Sequence, residues 1–211
     1  MSPAGYTIRQ CLHPECGLRY PYVLSYQFGE RCPRCRGETQ IVKHQKRFSE
    51  PIIDHAQILG PMLENLVDNV RSVWNVGSIF RTAEGFGVST IHLCGIAPTP
   101  ENPKLKKTAL GSELQVPWQY YANGVTACQG LKSEGAYLLG LETTQDATFL
   151  EIMKAPSLRR WVLIVGNENC GIDPDILALC DQLIYISMHG KKRSLNVAVA
   201  AGVALNHLRQ L

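Results

Sequence analysis

The sequence lacks the features that would place the protein in or across a membrane. Although 45% of its 211 residues are hydrophobic, no apolar run approaches the roughly 20 residues that cross a bilayer. The opening residues, MSPAGYTIRQ, contain no apolar signal core. Internal repeats and low-complexity tracts are also missing. We therefore expect a cytoplasmic globular protein with one full-sized domain and a small appendage.

The net charge is also small, at +3, but it is unevenly spread. Residues 1–50 contain eight Lys and Arg against four acidic residues, a balance of +4, whereas the rest has 13 against 14, a balance of −1. A basic appendage on a nearly neutral body favours a polyanionic partner. A solvated basic surface explains the charge alone equally well.

Half of the eight cysteines lie in one short segment, as the pairs CLHPEC and CPRC. Two such pairs, separated by a hairpin-sized spacer, can bring four thiolates to one tetrahedral, structural Zn²⁺. The expected ligands are Cys11, Cys16, Cys32 and Cys35. Because four residues rather than two separate the first pair, His13 stays open as a substitute ligand. The alternative for the second pair, a redox site, lacks a thioredoxin-like strand and helix around it.

After the cysteine segment, the chain alternates short apolar runs with helical patterns. We predict a zinc-ribbon-like basic segment over residues 1–45, a linker over 46–61 and a main domain over 62–211. The apolar runs of that domain are NLVDNV, TIHLCG, AYLLGL, WVLIVG and LIYISM. Strands that are apolar on both faces and separated by helices indicate an α/β fold, with a mostly parallel sheet and helices on both faces. Such sheets bind ligands at the carboxyl ends of their strands.

Three stretches near strand ends carry polar groups, and the first is NVRSVWNVGSIFRTAEGFGV. A helical pattern starts near Asn75, which we predict to be the N-cap, and Arg81 follows within two turns. A helix N-terminus beside an arginine suits a phosphate. An amphipathic helix with one exposed arginine is the plainer alternative.

The second stretch is VGNENCGI, directly after the run WVLIVG. Gly166 and Gly171 permit tight turns and a close approach of a ligand, and Glu168 lies between them. The stretch has neither the lysine of a P-loop nor the glycine spacing of a dinucleotide fingerprint. It is therefore a candidate ligand loop, or else an ordinary strand-to-helix turn.

The third stretch is MHGKKRSLN, between the last apolar run and an alanine-rich helix. Gly190 turns the chain, and we predict Ser194 to be the N-cap of the last helix. Ser194 and Asn196 offer polar groups at a strand end, and the cations of residues 191–193 add positive potential. Ordinary helix capping explains any one of these residues by itself.

Taken in order, the three stretches resemble the SpoU (TrmH-like) RNA 2′-O-methyltransferases of the SPOUT superfamily. The resemblance rests on N-x-G-x-x-x-R-x-A, then G-N-E-x-x-G, then I-x-M-x-G-x-x-x-S-L-N-V, and it covers roughly residues 62–208. It implies a C-terminal trefoil knot, S-adenosylmethionine as cofactor, a homodimer and methylation of a ribose 2′-hydroxyl in RNA. The knot is a rare exception to the rule that chains are unknotted. The basic cysteine segment would then supply affinity for RNA.

The resemblance also implies the roles of individual residues. The functional polar residues would be Asn75, Arg81, Glu168, Ser194 and Asn196. The residues that hold the cofactor would be Gly166, Ile186, Leu195, Thr143, Met188 and Gly190. One departure from the family pattern is Ser187, which stands where proline is usual and leads us to expect a looser loop.

The expected reaction leaves the role of Arg81 open to two interpretations. The family proposal makes this arginine the general base, but a guanidinium with a pKa above about 12 is a poor base at neutral pH. We instead predict that Arg81 grips an RNA phosphate and stabilises the developing 2′-oxyanion. A compact enzyme with a small appendage favours tRNA over rRNA as substrate. The alternative function is a catalytically silent, knotted protein that binds RNA or senses S-adenosylmethionine.

Overall fold

The computed structural model describes residues 5–23, 30–46, 60–156 and 160–211. The chain divides into two compact units, residues 1–57 and residues 58–211. Most of the predicted linker, residues 47–59, lies outside the described residues.

The first unit contains a small antiparallel sheet. Its strands are β1 (Tyr6–Cys11), β2 (Arg19–Tyr22) and β3 (Thr39–Gln45), in the order β2-β1-β3. The turns that carry the cysteines lie at the ends of these strands. Cys11 is the last residue of β1, and Cys16 follows in the turn that leads to β2. The second cysteine pair lies just before β3.

The second unit is built on a seven-stranded sheet in which every neighbouring pair of strands is parallel. The strands are β4 (Met62–Asp68), β5 (Thr90–Cys94), β6 (Trp118–Tyr121), β7 (Tyr137–Leu141), β8 (Thr148–Phe149), β9 (Arg160–Val165) and β10 (Gln182–Tyr185). Their order is β6-β5-β4-β9-β7-β10-β8. The chain winds outward from β4 through β5 to β6, and the other strands lie on the opposite side of β4. The strand order therefore switches between β4 and β9, which is where open α/β sheets place their ligands.

Helices cover both faces of this sheet. They are α1 (Val73–Gly85), α2 (Lys106–Ala109), α3 (Gly124–Ser133), α4 (Pro174–Leu179) and α5 (Val197–Leu208). Alternate residues of β4 point to opposite faces, so that Val67 packs with α1 and α5 while Leu66 packs with α3 and α4. The predicted α/β architecture, mostly parallel with helices on both faces, is confirmed. No helix of the described residues is long and apolar enough to cross a bilayer.

The structure corrects several local predictions. The N-cap of α1 is Ser72 and not Asn75, which lies inside the first turn. The N-cap of α5 is Asn196 and not Ser194. The last apolar run forms a strand only as far as Tyr185, so the segment up to Met188 belongs to the loop. The short strands β6 and β8, of four and two residues, were not predicted.

Candidate functional site

The Glu168 carboxylate lies at the point where β4 and β9 end side by side. Its Oε2 accepts a hydrogen bond from the backbone N–H of Arg71 at 3.0 Å, and its Oε1 accepts one from the N–H of Ser72 at 2.9 Å. The Asn75 amide Nδ2 donates a third hydrogen bond to Oε1, also at 2.9 Å. Glu168 comes from the loop after β9, whereas the donors come from the loop after β4 and the first turn of α1. The carboxylate thus joins the two halves of the sheet at its switch point.

This arrangement keeps Glu168 ionised. Partial burial by itself would raise the pKa of the carboxyl, but the N–H groups of Arg71 and Ser72 and the amide of Asn75 outweigh it and hold the pKa below its usual value. The positive end of the α1 dipole acts in the same direction. The N-terminus of α1, which we predicted to suit a phosphate, is therefore occupied by a carboxylate of the same chain.

Asn75 continues the hydrogen-bonded chain to the third motif. Its Oδ1 accepts from Nδ2 of Asn196 at 3.0 Å, and the Asn196 Oδ1 caps α5 by accepting from the N–H groups of Ala198 and Val199. The chain Glu168–Asn75–Asn196 therefore links residues from all three sequence motifs. The residues it joins are 93 and 121 positions apart.

Two asparagines that were not among the predicted site residues, Asn167 and Asn69, hold the Glu168 loop in place. Asn167 donates from Nδ2 to the carbonyl of Asn69 at 2.7 Å, and its Oδ1 accepts from the N–H groups of Asn169 and Cys170. Asn69 has a left-handed backbone, with φ of 53°, which asparagine tolerates better than most residues. An asparagine at a strand end is the one sequence signal that could have indicated this bend.

The glycines of the motifs allow close approaches of the backbone. A Cβ at Gly166 would overlap the backbone of Gly171 and Ile172, so the loop after β9 closes on itself only with glycine there. A Cβ at Gly77 would overlap the Thr108 hydroxyl and approach the carbonyl of Leu105 to 2.9 Å. Gly77 therefore lets the segment around α2 pack against α1, which is a packing role.

A cleft of about 300 Å³ opens beside this polar chain, at the carboxyl ends of β7, β9 and β10. Eight of the predicted site residues line it: Thr143, Gly166, Glu168, Ile186, Met188, Ser194, Leu195 and Asn196. The lining also includes Glu142, Asn167 and Arg193, which the sequence did not single out. Within the described part of the chain, Asn75, Arg81 and Gly190 do not line the cleft.

Arg81 stands apart from the other predicted polar residues. It is exposed on α1, six residues after Asn75, which places it about 120° around the helix from that side chain. None of the hydrogen bonds or ion pairs found within the described ranges involves its guanidinium. Asn75 and Glu168 therefore bond to each other and do not orient Arg81 within one chain.

Ser187, the departure from the family pattern, makes a contact that proline cannot make. Its hydroxyl donates to Oε1 of Glu151 at 2.7 Å. This hydrogen bond from Ser187 lowers the pKa of the Glu151 carboxyl, which favours the charged acceptor. The loop after β10 is thus tied to the segment after β8 by a side-chain hydrogen bond in place of a rigid ring.

The four cysteines of the first unit form a compact cluster. Sγ of Cys11 lies 3.4 Å from that of Cys35, Sγ of Cys16 lies 3.7 Å from that of Cys32, and all four sulfur atoms are within 4.8 Å of one another. Tetrahedral zinc with bonds of about 2.3 Å to sulfur requires separations of about 3.8 Å. The donor set and its spacing therefore fit a structural Zn²⁺. The side chain of His13 is exposed and outside the cluster, which favours the four cysteines as ligands.

Comparison with known proteins identifies the family. Residues 63–206 match the SpoU rRNA Methylase family, which is more than half of the chain. The chain belongs to the SpoU rRNA Methylase family. One SpoU relative is the 23S rRNA (guanosine(2553)-2′-O)-methyltransferase RlmP of Bacillus subtilis, 34% identical over 68% of this chain and 56% of its own length. Another is the 23S rRNA (guanosine-2′-O-)-methyltransferase RlmB of Vibrio parahaemolyticus, 32% identical over 78% of this chain and 66% of its own length.

Two solved structures share the fold. The TrmH/SpoU tRNA modifying enzyme of A. aeolicus is 27% identical, with a TM-score of 0.64 over 71% of this chain and 75% of that one. The AdoMet-bound rRNA methyltransferase of Sinorhizobium meliloti is 25% identical, with a TM-score of 0.66 over 79% of this chain and 62% of that one. The chain spans between 56% and 66% of the length of the two curated relatives named above.

Proposed function

We propose that the protein is an RNA methyltransferase that transfers the methyl group of S-adenosylmethionine to a ribose 2′-hydroxyl. The observation that carries this proposal is the hydrogen-bonded chain Glu168–Asn75–Asn196 at the edge of the cleft. It brings together the three motifs that the SpoU family shares, at the switch point of a parallel sheet. The names of the relatives, which are rRNA 2′-O-methyltransferases, support the same reaction.

The lining and the volume of the cleft suit S-adenosylmethionine. Its lining combines apolar surfaces at Ile186 and Leu195 with a close backbone at Gly166, and its volume lies at the lower end of the range for small-molecule sites. Thr143 and Met188 complete the wall at the ends of β7 and β10. When bound, the cofactor supplies a methyl group on a sulfonium, which is already activated for in-line transfer. The protein therefore has to position the 2′-oxygen about 3 Å from that carbon and manage its proton.

The geometry suggests a separate role for each of the polar residues. Glu168 is ionised and already accepts three hydrogen bonds, so we assign it a positioning role. It joins the loop that follows β9 to the loop that follows β4. Asn75 and Asn196 fix the wall of the cleft, and Ser194 faces the cofactor and substrate junction. Arg81, exposed and without a protein partner among the described residues, grips an RNA phosphate and stabilises the developing oxyanion.

We also propose that the chain is knotted and that it forms a homodimer in the cytoplasm. The loop over residues 186–196 would be the knot loop that wraps the cofactor. A shallow groove between α1 and α5 supports the dimer, because it exposes Val199 and Val203 beside Ser78 and Thr82. Valines that are 52% and 41% exposed along one helix face are the kind of surface that a second copy covers.

The first unit would contribute structural zinc and affinity for RNA. Its basic balance suits phosphate contacts that do not depend on sequence and that weaken as salt increases. Deleting residues 1–45 should then weaken binding of RNA much more than binding of the cofactor. Equal RNA affinity for the truncated protein would leave this unit with a role in stability or dimerisation only.

The identity of the RNA is the part of the proposal that most needs a direct test. The sequence favoured tRNA, whereas the relatives named above act on 23S rRNA, so rRNA is the first pool to examine. The purified protein is incubated with methyl-labelled S-adenosylmethionine and separated rRNA or tRNA pools from a strain that lacks it. Label in one pool supports the proposal and names the substrate class. Cofactor binding without label in either pool would instead favour the silent, knotted binder.

A further inference from the structure

Arg193 is the only cationic side chain among the described residues that line the cleft. It is the last of three consecutive cations, and neither Lys191 nor Lys192 contributes to the lining. No hydrogen bond or ion pair joins its guanidinium to another residue of the described ranges. Arg193 therefore lies beside the cleft without a protein partner among the described residues, and its guanidinium is available to a ligand.

The other charged groups of the cleft wall are negative. They are the carboxylates of Glu142 and Glu168, and both accept hydrogen bonds from backbone N–H groups. Glu142 accepts from Thr143 at 3.1 Å and from Ile172 at 3.2 Å, while Glu168 bonds to the loop before α1 as described above. The positions of both carboxylates are therefore fixed by the protein itself, and neither carboxylate pairs with Arg193.

The signs of these charges complement the charges of S-adenosylmethionine. The cofactor carries a positive sulfonium, a positive ammonium and one negative carboxylate. The two glutamates suit the positive groups, and Arg193 is the one lining side chain with a charge that suits the carboxylate. A planar guanidinium can bind a carboxylate through two parallel hydrogen bonds, which adds orientation to the attraction.

We infer that Arg193 binds the carboxylate of the cofactor's methionine moiety and thereby selects a nucleoside that carries an intact amino acid. This inference rests on the proposed function and names a specificity-determining residue for it. An RNA phosphate is the competing anion, since Arg193 is exposed to solvent as well as lining the cleft. The cofactor is the favoured ligand because the three residues that follow Arg193 in the chain line the same cleft: Ser194, Leu195 and Asn196.

The test compares two ligands that differ only in this carboxylate. Isothermal titration measures the affinity of the full chain for S-adenosylmethionine and for decarboxylated S-adenosylmethionine, with wild type and with Arg193→Gln. The wild type should prefer the intact cofactor by roughly tenfold, the range expected for a partly exposed charged hydrogen bond. Arg193→Gln should bind both ligands with similar affinity, and Arg193→Lys should retain part of the preference. Lys107→Gln, which removes an exposed cation of α2 outside both the lining and this loop, should behave as wild type.

Each other outcome overturns the inference in a distinguishable way. If Arg193→Gln weakens both ligands equally, Arg193 shapes the loop and does not read the carboxylate. If it leaves both affinities unchanged but raises the dissociation constant for RNA, the guanidinium serves a phosphate. If the wild type binds neither ligand, the proposed function fails and the inference fails with it. If Arg193→Gln still prefers intact over decarboxylated S-adenosylmethionine, the inference fails but the proposed function stands.

Discussion

Oδ1 of Asn75 accepts a hydrogen bond from Nδ2 of Asn196 at 3.0 Å, although the two residues are 121 positions apart in the chain. Each asparagine also makes a second hydrogen-bonding contact at this site. Asn75 also donates to Glu168, and Asn196 also caps α5. Substitutions at Asn196 can therefore separate the stability of the fold from the function of the site.

We predict that Asn196→Asp folds nearly as well as wild type but loses most of its methyl transfer. Aspartate keeps the acceptor that caps α5, but it cannot donate to Asn75, and it adds a negative charge near Glu168. Asn196→Ala should also lose the cap, at a cost of about 1 kcal/mol in the free energy of unfolding. The matched control is Asn123→Ala, because Asn123 caps α3 through the same two kinds of contact. That variant should lose similar stability and keep its activity, as measured by chemical denaturation and by label transfer.

Glu168 should make the stability of the protein depend on pH. Because the folded state lowers the pKa of this carboxyl, its contribution is present above the ordinary value of 4.5 and is lost as the pH falls from there through the lowered pKa. The free energy of unfolding of wild type should thus exceed that of Glu168→Gln at neutral pH, and the difference should shrink below about pH 4.5. Glu84→Gln, on an exposed residue near the C-terminus of α1, should follow wild type throughout. A difference between wild type and Glu168→Gln that stays constant with pH would contradict the role assigned to the carboxylate.

Gly166→Ala should disable the cofactor cleft. The added Cβ overlaps the backbone of Gly171 and Ile172, which cannot rotate away as a side chain would. Overpacking of this kind costs about 1–3 kcal/mol, and cofactor affinity should fall roughly tenfold or more. Gly130→Ala, where a Cβ meets nothing within 4 Å, should leave the dissociation constant for the cofactor unchanged. Normal affinity in Gly166→Ala would show that the loop is looser than its contacts indicate.

Arg81→Ala should abolish turnover and spare cofactor binding. The residue lies outside the lining of the cleft, so the affinity for the cofactor should stay that of wild type. Loss of a group that stabilises the transition state should lower the rate by about 100-fold or more. Single-turnover rates and cofactor titrations measure the two effects separately. Turnover near the wild-type rate would rule out Arg81 both as a general base and as an electrostatic group.

The cysteine cluster should bind one Zn²⁺ per chain. Cys32→Ser should lose the metal because a tetrahedral thiolate site needs all four sulfur atoms, and His13→Ala should keep it. Cys170→Ser is the matched control, since this exposed cysteine lies in the second unit and outside the cluster. Mass spectrometry of the metal content gives the result. Full zinc in Cys32→Ser, or none in the wild type, would contradict the assignment.

The sheet was predictable from the sequence because its strands are buried on both faces. Runs such as WVLIVG are apolar throughout, which only a covered parallel strand explains well. The limits of the helices were less predictable, because Ser72 and Asn75 are both good N-caps and the tertiary contact of Glu168 with the Ser72 N–H is absent from any local pattern. That contact joins residues 96 positions apart, and no local pattern encodes it.

The candidate site was predictable where the motifs carried the resemblance, and much less so elsewhere. Glu168, Ser194 and Asn196 come from two motifs of the resemblance and line one cleft, while their functional roles stay a prediction. Asn167 and Asn69 were missed because their task is to hold a loop, through one side-chain contact and one left-handed residue. Arg193 was predicted only as part of a basic run, since the sequence does not show which of three adjacent cations lines the cleft.

The measurement that tests the central claim most directly is the chemical position of the transferred methyl group. RNA that accepts label is digested to nucleosides, and mass spectrometry determines whether the methyl group is on the ribose or on the base. The experiment is then repeated with a synthetic fragment that carries a 2′-deoxy sugar at the modified nucleotide. A 2′-O-methylated nucleoside, and no label in the deoxy fragment, is the result that the account predicts. A methylated base, or full labelling of the deoxy fragment, would contradict it.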